Sequence, residues 1–407
     1  MSDPVVRIGV AGLGRAFTLM LPTFRADARV RLIAAADPRP EACARFAVDF
    51  GARTYSSVEN LCDDADVDLV YVATPHELHA GHVAIAAHAG KHVLVEKPMA
   101  ITLGEAQAMV DACEGAGTWL IVGHSHSFDA PILRARALIT EGAVGRLRMI
   151  TALNFTDYMY RPRRPEELAT AAGGGVLFSQ AAHQIDIVRL IGGGRLASVR
   201  AQAGIWDPAR PTEGAYCAFA TFEDGTCATL TYSGYAHYDS DELTQWVSEM
   251  GFVKDPSLYG AARRALAEAR DATAETALKN ARNYGGPGYS GRDDSTPARV
   301  GHQQFGFVLA SCEHGDVRPL PKGVMIYGDS APRLEALPVS PVPRVEVIDE
   351  VHAALTRNVR PVHDGRWALA TLEACLALLA SSRTGREVGL AHQVALHRAE
   401  RNTPPNE

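Results

Sequence analysis

The stretch VVRIGVAGLGRAF, residues 5–17, decides the fold of this chain. Its apolar part, Val5–Val10, predicts a β-strand, and the glycine-rich turn over Ala11–Arg15 opens a helix that runs towards Phe24. A strand that leads through such a turn into a helix is typical of the first unit of a parallel α/β sheet. Because backbone N–H groups point out of the start of the helix, this unit can also hold a phosphate group.

Two glycines of this turn and one acidic residue predict a dinucleotide site. Gly12 permits the tight turn and Gly14 lets the backbone approach a diphosphate, although the third position of the G-x-G-x-x-G pattern is Phe17. The second strand ends in Asp37, 23 residues after Gly14, where a carboxylate can accept both hydroxyls of an adenosine ribose. The same carboxylate would repel a 2′-phosphate, so the sequence favours NAD over NADP. A helix N-cap role for Asp37 and, because of Arg39, an NADP site are the alternatives.

The pattern of strands and helices divides the chain into two predicted domains. Short runs of Val, Ile and Ala alternate with helical patterns through residue 122, which predicts parallel strands covered on both faces. Beyond residue 145 the strands are longer and alternate apolar with polar residues, as in a half-exposed antiparallel sheet. We therefore predict an α/β fold with a Rossmann domain over residues 1–123. An α+β domain with a large, mostly antiparallel open sheet would follow over 124–407.

Three features of the second domain are predicted separately. A hairpin turn at Asp224-Gly225 should join two strands, since this dipeptide supplies the positive φ angles that such turns need. Residues 251–300 read as an insertion, with a helical piece over Ala261–Ala281 and then a loop rich in Gly and Pro. One helix should pack on the sheet and two late helices should return to the first domain; these are Val176–Ile191, Val347–Arg357 and Trp367–Ser382.

Composition excludes several classes of protein. With 407 residues, 47% hydrophobic and 21% charged, the chain is globular and not disordered. Its net charge of -7 provides no general basic field for nucleic acid or an anionic membrane, so neither is expected as a partner. Seven scattered cysteines without C-x-x-C spacing indicate free thiols in a reducing compartment. No signal peptide or membrane span is predicted, and we expect a cytoplasmic protein.

Three motifs are long enough to indicate a family. Residues 71–79 read YVATPHELH, residues 86–100 read AAHAGKHVLVEKPMA, and residues 173–186 read GGGVLFSQAAHQID. Together they resemble the signatures of the Gfo/Idh/MocA oxidoreductases. The resemblance covers most of the chain apart from the insertion. It implies an NAD-binding Rossmann domain, a second sheet at the nicotinamide end of the cofactor, and a homo-oligomer, either a dimer or a tetramer.

The resemblance also implies roles for individual residues. Lys97 corresponds to the active-site lysine of the E-K-P motif and His183 to the catalytic acid/base, whereas the family's Asp four residues before it is Ser179 here. Oxidising an alcohol needs a base for the hydroxyl proton and a donor that stabilises the alkoxide, which suits these two residues. A core histidine and a surface lysine are the structural alternatives. The predicted cofactor contacts are Gly12, Leu13, Gly14, Arg15, Ala16, Asp37, Thr74, Pro75, His79, Glu96 and Lys97.

Two segments bear on the substrate. The loop at residues 156–167, TDYMYRPRRPEE, contains Arg161, Arg163 and Arg164 within four positions, and proline-stiffened guanidinium groups suit a substrate with one or two carboxylates. A solvated loop in which the arginines pair with the two glutamates is the alternative. In the second segment, HSHSFD at 124–129, His126 is predicted to reach the substrate together with Ser179. We predict no metal, because no third ligand is clearly fixed.

The arginine loop, Ser179, the HSHSFD segment and the insertion together resemble one branch of the family, the bacterial phthalate cis-dihydrodiol dehydrogenases. This resemblance implies NAD+-dependent oxidation of phthalate cis-4,5-dihydrodiol to 4,5-dihydroxyphthalate. A sugar, inositol or other polyol dehydrogenase of the same family is the alternative, although it would favour Asp at position 179 and fewer arginines in the loop. An NAD-dependent glycosidase and a non-catalytic NAD-binding sensor are more remote alternatives.

Overall fold

The computed structural model of the chain describes residues 4–269, 271–289 and 298–397. Its first half is a six-stranded parallel sheet with helices on both faces. The strands are β1 (Val6–Ala11), β2 (Val30–Ala36), β3 (Arg53–Tyr55), β4 (Leu69–Val72), β5 (His92–Val95) and β6 (Leu120–Val122). The helices are α1 (Arg15–Ala26), α2 (Pro40–Phe50), α3 (Val58–Cys62), α4 (His79–His88) and α5 (Leu103–Ala116).

The order of these strands places a crevice at their carboxyl ends. The order β3-β2-β1-β4-β5-β6 reverses direction between β1 and β4, and ligands of such sheets bind at this switch point. All four residues of β4 are buried, as the continuous apolar run predicts for a strand covered on both faces. The predicted Rossmann fold is confirmed. The short elements β3 and α3 were not predicted, because Arg53–Tyr55 has no apolar run.

The second half is built on a nine-stranded sheet. Its order is β14-β13-β12-β11-β7-β10-β9-β8-β15, and every neighbouring pair is antiparallel except β7 with β10. The strands are β7 (Leu147–Phe155), β8 (Leu196–Gly204), β9 (Ala215–Phe222), β10 (Cys227–Ser233), β11 (Phe307–Cys312), β12 (Gly315–Leu320), β13 (Gly323–Tyr327), β14 (Pro332–Ala336) and β15 (Val388–Gly389). The helices are α6 (Ala130–Thr140), α7 (Val176–Ser179), α8 (Ala181–Gly192), α9 (Ala261–Glu268), α10 (Ala272–Asn280), α11 (Val345–Arg357) and α12 (Gly365–Thr384).

One face of this sheet packs on helices and the other is open. Along β9, buried and exposed residues alternate, and Phe219 remains 46% exposed on the open face. The helix α8 lies on the closed face and buries nearly all of its residues. The turn between β9 and β10 contains Gly225 at φ +87°, as the hairpin prediction requires. The predicted large, mostly antiparallel sheet is confirmed.

Two predicted helices differ from the structure in ways that matter below. The helix predicted over Val176–Ile191 is broken at Gln180 into α7 and α8. The helical piece of the insertion is likewise two helices, α9 and α10, and its predicted loop falls partly on residues 290–297, outside the described residues.

The late helices and the thiols complete the fold. Val347, Ile348 and Val351 of α11 join the core of the first sheet, and α12 lies between β8 and α5. The predicted domain boundary after residue 123 stays a prediction.

All seven cysteines are described, and none forms a disulfide. Within the described ranges, no helix is long and apolar enough to cross a membrane.

Candidate active site

A cleft of about 930 Å³ lies between the two sheets, where the loops after β1, β4, β5 and β6 face the second half of the chain. Nine Lys and Arg residues but only five Asp and Glu residues line it, in a chain whose net charge is -7. This local excess of positive charge suits anionic ligands. Most of the predicted site residues line this cleft: Gly12, Gly14, Arg15, Ala16, Asp37, Thr74, Pro75, Glu96, Lys97, His126, Arg161, Arg163, Arg164, Ser179 and His183.

The nucleotide turn has the geometry that its glycines predict. Gly12 adopts φ +93°, and a Cβ atom there would lie 2.9 Å from the carbonyl oxygen of Ala73. Any larger residue would therefore be strained and would collide with the backbone after β4. Gly14 immediately precedes α1, whose first N–H groups are open to an anion. The predicted contact of Leu13 needs correction, because its side chain is buried and its backbone N–H donates to Asp37.

Asp37 is held in place by its own surroundings. Its carboxylate accepts from the Leu13 N–H at 2.7 Å and from the backbone N–H and Nε of Arg39, both at 2.9 Å. Arg39 also donates to the Leu13 carbonyl oxygen at 2.9 Å. The carboxylate faces the cleft at the end of β2, so the ribose role predicted for it is sterically available. Ribose hydroxyls would share or replace the hydrogen bonds of Arg39. The role itself stays a prediction.

His79 does not reach the cleft, which corrects the prediction that it contacts the cofactor. It is fully buried at the start of α4, and its two ring nitrogens lie 3.0 and 2.9 Å from the carbonyl oxygens of Pro98 and Thr74. This histidine therefore connects the loop after β4 to the loop after β5. It positions Thr74 and the Lys97-Pro98 segment, both of which border the cleft.

Lys97 and Ser179 meet at the break between α7 and α8. The Lys97 ammonium Nζ donates to the backbone carbonyl oxygen of Ser179 at 2.9 Å. This carbonyl is available because the helix does not continue through Gln180. The Ser179 hydroxyl donates to the Gly175 carbonyl oxygen at 2.6 Å. The serine that replaces the expected aspartate offers Lys97 no carboxylate at position 179, and in the described part of the chain the Lys97 ammonium donates to the Ser179 carbonyl alone. Its other N–H groups can meet a substrate oxygen.

His183 is a buried and neutral imidazole next to Lys97. It is 5% exposed, and among the described residues its Nδ1 has no hydrogen-bond partner. Burial lowers the pKa of this histidine well below its ordinary value, and the positive charges of Lys97 and His126 lower it further. An unprotonated imidazole in a cleft can accept a proton from a substrate hydroxyl.

His126 belongs to a chain of hydrogen bonds behind His183. Its Nδ1 lies 2.7 Å from Asp129 and its Nε2 lies 3.4 Å from Glu249, while its ring centroid is 4.8 Å from that of His183. Burial alone would lower the pKa of His126, but the two carboxylates outweigh burial and raise it to about 9. A positive charge at His126 opposes protonation of His183.

The residues His124, His126 and Asp129 bring possible metal ligands within 4.8 Å of one another. The carboxylate of Asp129 already accepts from the protonated His126, which provides the cluster with an internal ion pair. His124 contributes a neutral ring, because burial lowers its pKa to about 3. The absence of a metal stays a prediction.

The charge on His126 should make folding depend on pH. A histidine pKa raised from about 6.5 to about 9 stabilises the folded state fully below pH 6.5. This contribution, up to about 3 kcal/mol, is lost as the pH rises through 9. We expect the free energy of unfolding of His126→Asn, measured in urea, to fall less between pH 6.5 and 9 than that of the wild type. The exposed control His88→Asn should keep the wild-type slope, and equal slopes for all three proteins would refute the assignment.

The arginine loop contains two side chains that are already paired within the protein. Arg163 is 7% exposed; its guanidinium lies 3.6 Å from the centroid of the Tyr158 ring, and its backbone N–H donates to Glu275 at 2.7 Å. The Nε atom of Arg164 lies 2.9 Å from a carboxylate oxygen of Glu166. The Nη1 atom of Arg163 also lies 3.6 Å from Glu167, so a nearby carboxylate offsets the positive charge of each of these two side chains.

Arg161 differs from the other two arginines. Its side chain is 40% exposed towards the cleft, and its Nε donates to Asp157 at 3.1 Å. Its positive charge helps to lower the pKa of Glu249, which places the guanidinium near the His126 chain. Arg161 is therefore the arginine best placed to contact a ligand carboxylate.

Several cleft residues were not predicted, among them Tyr158, Lys279 and Glu249. Tyr158 lines the cleft with Lys97 and Ser179; burial would raise the pKa of its phenol, but the charges of Arg163 and Lys97 lower it. Lys279 and Glu249 reach the cleft from the insertion and from the segment before it. Tyr158 belongs to the arginine loop, so the sequence could have predicted it as an aromatic residue of the site. The other two have no local signal, because only the tertiary fold brings them to the site.

Comparisons with known proteins agree with this geometry. The family model described as oxidoreductase family, NAD-binding Rossmann fold, matches residues 6–124, and the C-terminal domain model of the same family matches residues 132–251. A protein of Comamonas testosteroni, 1-carboxy-3-chloro-3,4-dihydroxycyclohexa-1,5-diene dehydrogenase, is 48% identical over 375 residues. The match covers 92% of this chain and 94% of that protein.

Solved structures extend the comparison. A protein of Bordetella bronchiseptica, assigned as a dehydrogenase, has a TM-score of 0.88 and 41% identity, covering 95% of this chain and all of that one. The WlbA dehydrogenase of Bordetella pertussis, solved with NADH and UDP-GlcNAcA, has a TM-score of 0.66 and covers 96% of this chain and 99% of its own; at 22% identity it shows the fold alone. The matches to the family models and to the Comamonas protein show that this chain belongs to the Gfo/Idh/MocA family and is an NAD-dependent oxidoreductase.

Proposed function

We propose that the protein oxidises the cis-dihydrodiol of a carboxylated aromatic ring, with phthalate cis-4,5-dihydrodiol as the substrate and 4,5-dihydroxyphthalate as the product. The observation that carries this proposal is the convergence of the neutral His183, the ammonium of Lys97 and the guanidinium of Arg161 in one cleft with the nucleotide turn. An alcohol oxidation needs the first two groups, and a ring carboxylate needs the third.

Each residue has a distinct part in the proposed reaction. When bound, NAD+ would supply the acceptor for the hydride of the ring carbon that carries the hydroxyl. His183 takes the hydroxyl proton, and Lys97 donates a hydrogen bond to the oxygen as negative charge develops on it. The positive charge of His126 keeps His183 unprotonated and ready as a base. The ketone that forms tautomerises to an aromatic catechol, which draws the reaction forward.

The carboxylate is proposed to bind Arg161. The Comamonas relative is named for a substrate with one carboxyl group and two hydroxyls on a cyclohexadiene ring, which supports this class of substrate. Ser179 supports it further, since a hydroxyl that donates to the Gly175 carbonyl cannot hold sugar hydroxyls as a carboxylate would. A polyol substrate therefore has less support in this cleft.

The first experiment follows absorbance at 340 nm with purified protein and NAD+. The substrates are the cis-4,5-dihydrodiol of phthalate, a monocarboxylated cis-dihydrodiol of benzoate, myo-inositol and glucose. We expect NADH to form with the phthalate dihydrodiol at the highest kcat/KM. A preference for the benzoate dihydrodiol would support the proposed oxidation but contradict a requirement for the second carboxylate of the substrate. Turnover of a polyol alone would reject the carboxylate pocket.

Replacement of Arg161 by Gln should raise KM for the phthalate dihydrodiol by about 10- to 100-fold, since a charge-assisted pair to a carboxylate is worth roughly 1.5–3 kcal/mol. The KM for NAD+ should stay within twofold. Arg164→Gln is the matched control, because its guanidinium lies beside Glu166. If neither variant changes KM for the dihydrodiol, the loop is a solvated surface. A large effect in Arg164→Gln alone would transfer the role to that residue.

We also propose that a second copy of the chain covers the open face of the nine-stranded sheet. Met149 of β7 and Phe219 of β9 remain 43% and 46% exposed on the two strands that flank β10 on this face. Their cross-strand partners, Cys227 and Thr229, are two residues apart on β10, so both side chains point the same way. Exposed apolar residues in the middle of a sheet are typical of an interface. Sedimentation equilibrium should give an even multiple of 43.6 kDa, and a monomer would reject the proposal.

A further inference from the structure

We propose that the segment Lys279–Tyr289, which we name the strap, forms part of the dinucleotide site. In this proposal Tyr284 anchors the strap beside the nucleotide turn, and Arg282 acts together with Arg15 on the diphosphate of the cofactor. The strap begins in the last turn of α10 in the insertion, outside the segments that the two family models match. The inference rests on the NAD-binding role of the chain and does not depend on the proposed substrate.

Tyr284 is the anchor of the strap. It comes from the insertion, yet its side chain is fully buried in the core of the first sheet. Its backbone N–H donates to the carbonyl oxygen of Leu13, in the middle of the nucleotide turn, at 3.2 Å. Its hydroxyl donates to Asp49 at the end of α2 at 2.6 Å. These contacts fix the strap against both helices that follow the first two strands.

The ring of Tyr284 packs against Phe17, which occupies the third position of the G-x-G-x-x-G pattern. The Phe17 ring is fully buried, and its centroid lies 5.3 Å from that of Tyr284 in an edge-to-face arrangement. Phe46 completes the pocket, with ring centroids 5.9 Å from Phe17 and 6.2 Å from Tyr284. A glycine at position 17 would leave Tyr284 without this contact, since edge-to-face aromatic pairs need a partner ring. The phenylalanine that replaces the third glycine of the pattern thus packs against a tyrosine from the insertion.

The anchored strap brings a second guanidinium to the diphosphate side of the cleft. Arg282 and Arg15 both line the cleft, and Arg15 is the first residue of α1. Burial lowers the pKa of Arg15, and the charge of Arg282 lowers it further, so the two cations repel each other. Among the residues that the structure describes, neither guanidinium forms an ion pair. Two unpaired cations at the N-terminus of a helix are stabilised when an anion binds between them.

The strap is also fixed at its other end. Glu275 of α10 accepts from the backbone N–H of Arg163 and from the guanidinium of Arg210, both at 2.7 Å. Lys279 donates to Glu167 at 2.8 Å. Because Lys279 and Tyr284 hold it on both sides, Arg282 has little freedom to leave the cleft. A group held in this way loses less entropy when it binds the diphosphate.

The test measures binding of NADH and of ADP-ribose by fluorescence and calorimetry, without any substrate. We expect Arg282→Ala to raise both dissociation constants by about tenfold and to make them less dependent on salt, because one fewer phosphate charge is neutralised. Arg264→Ala, an exposed arginine of the same insertion, is the matched control and should leave both constants unchanged. Dissociation constants of Arg282→Ala within twofold of the wild type would overturn the proposal.

The anchor is tested by a second pair of variants. Tyr284→Phe removes only the hydroxyl, whereas Tyr284→Leu also removes the ring from the Phe17 pocket. We expect the dissociation constants for ADP-ribose to rise in that order, with Tyr259→Leu, which changes a 63% exposed tyrosine of the insertion, as the control. Wild-type affinity in a folded Tyr284→Leu protein would contradict the anchor. If that variant does not fold, the dissociation constants of Tyr284→Phe and Arg282→Ala for ADP-ribose provide the test. Wild-type values in both would contradict the proposal.

Discussion

Replacement of Lys97 by Met is expected to lower kcat for the dihydrodiol by about 10²- to 10³-fold, the usual effect of removing one donor from a developing oxyanion. The Lys97 ammonium is held by the carbonyl oxygen of Ser179 at 2.9 Å, so it is preorganised towards the cleft. No carboxylate at position 179 offsets its charge, which leaves that charge available to the substrate oxygen. Methionine keeps much of the length of the side chain and removes the charge. Steady-state kinetics with saturating NAD+ would measure the change.

The control for this variant is Lys322→Met, in an exposed turn of the second sheet. It removes the same charge from the chain and should leave kcat unchanged. Binding of ADP-ribose to Lys97→Met should stay close to the wild type, because the diphosphate is predicted to bind at the nucleotide turn. If Lys97→Met retains kcat within threefold of the wild type, Lys97 has no part in the chemical step.

Replacement of His183 by Asn is expected to have a larger effect, about 10³- to 10⁴-fold on kcat, since it removes the proton acceptor. Asparagine can still hydrogen-bond to the substrate but cannot accept its proton at neutral pH. The ring sits between Phe305, whose centroid is 5.0 Å away, and His126, so the smaller amide should be accommodated without loss of the fold. Single-turnover rates at 340 nm would separate this chemical step from product release.

The pH profile provides an independent readout for His183. Burial and the nearby cations lower its pKa well below the ordinary histidine value, so its base form persists at acidic pH. The wild-type kcat should therefore show no loss between pH 7.5 and 6 from protonation of this residue. A decline centred near pH 6.5 would mean that the base is an ordinary exposed histidine. His88→Asn, at the exposed end of α4, is the matched control for the substitution.

Much of the fold could be predicted, because local patterns determine it. The glycine turn of residues 9–17 predicted β1 as Val5–Val10, within one residue of the observed Val6–Ala11, and the apolar runs predicted the parallel sheet, although β3 was missed. The alternation of apolar and polar residues predicted the longer strands beyond residue 145, which include β7, β9 and β10. The break at Gln180 was not predictable from periodicity, since apolar residues continue on both sides of it. It nevertheless frees the carbonyl group that holds Lys97.

The candidate site was predictable only where its residues lie in long motifs. The E-K-P motif and the segment 173–186 led to Lys97 and His183, which the structure places in one cleft. His79 stood in an equally strong motif and is buried, because a motif does not distinguish a residue that supports a loop from one that touches a ligand. The contact of Tyr284 with Leu13 joins residues 271 positions apart. No pattern within one segment contains that information.

The pairing of Asp37 with Arg39 bears on how such a protein changes its cofactor during evolution. The guanidinium that would neutralise an added phosphate on the ribose is already present, and the carboxylate beside it is what occupies it. Exchange of Asp37 for serine would leave an acceptor for the Leu13 N–H and release Arg39 towards the cleft. With the predicted ribose role of Asp37, this single exchange is expected to shift the coenzyme preference towards NADP, and the nucleotide turn would not have to be rebuilt.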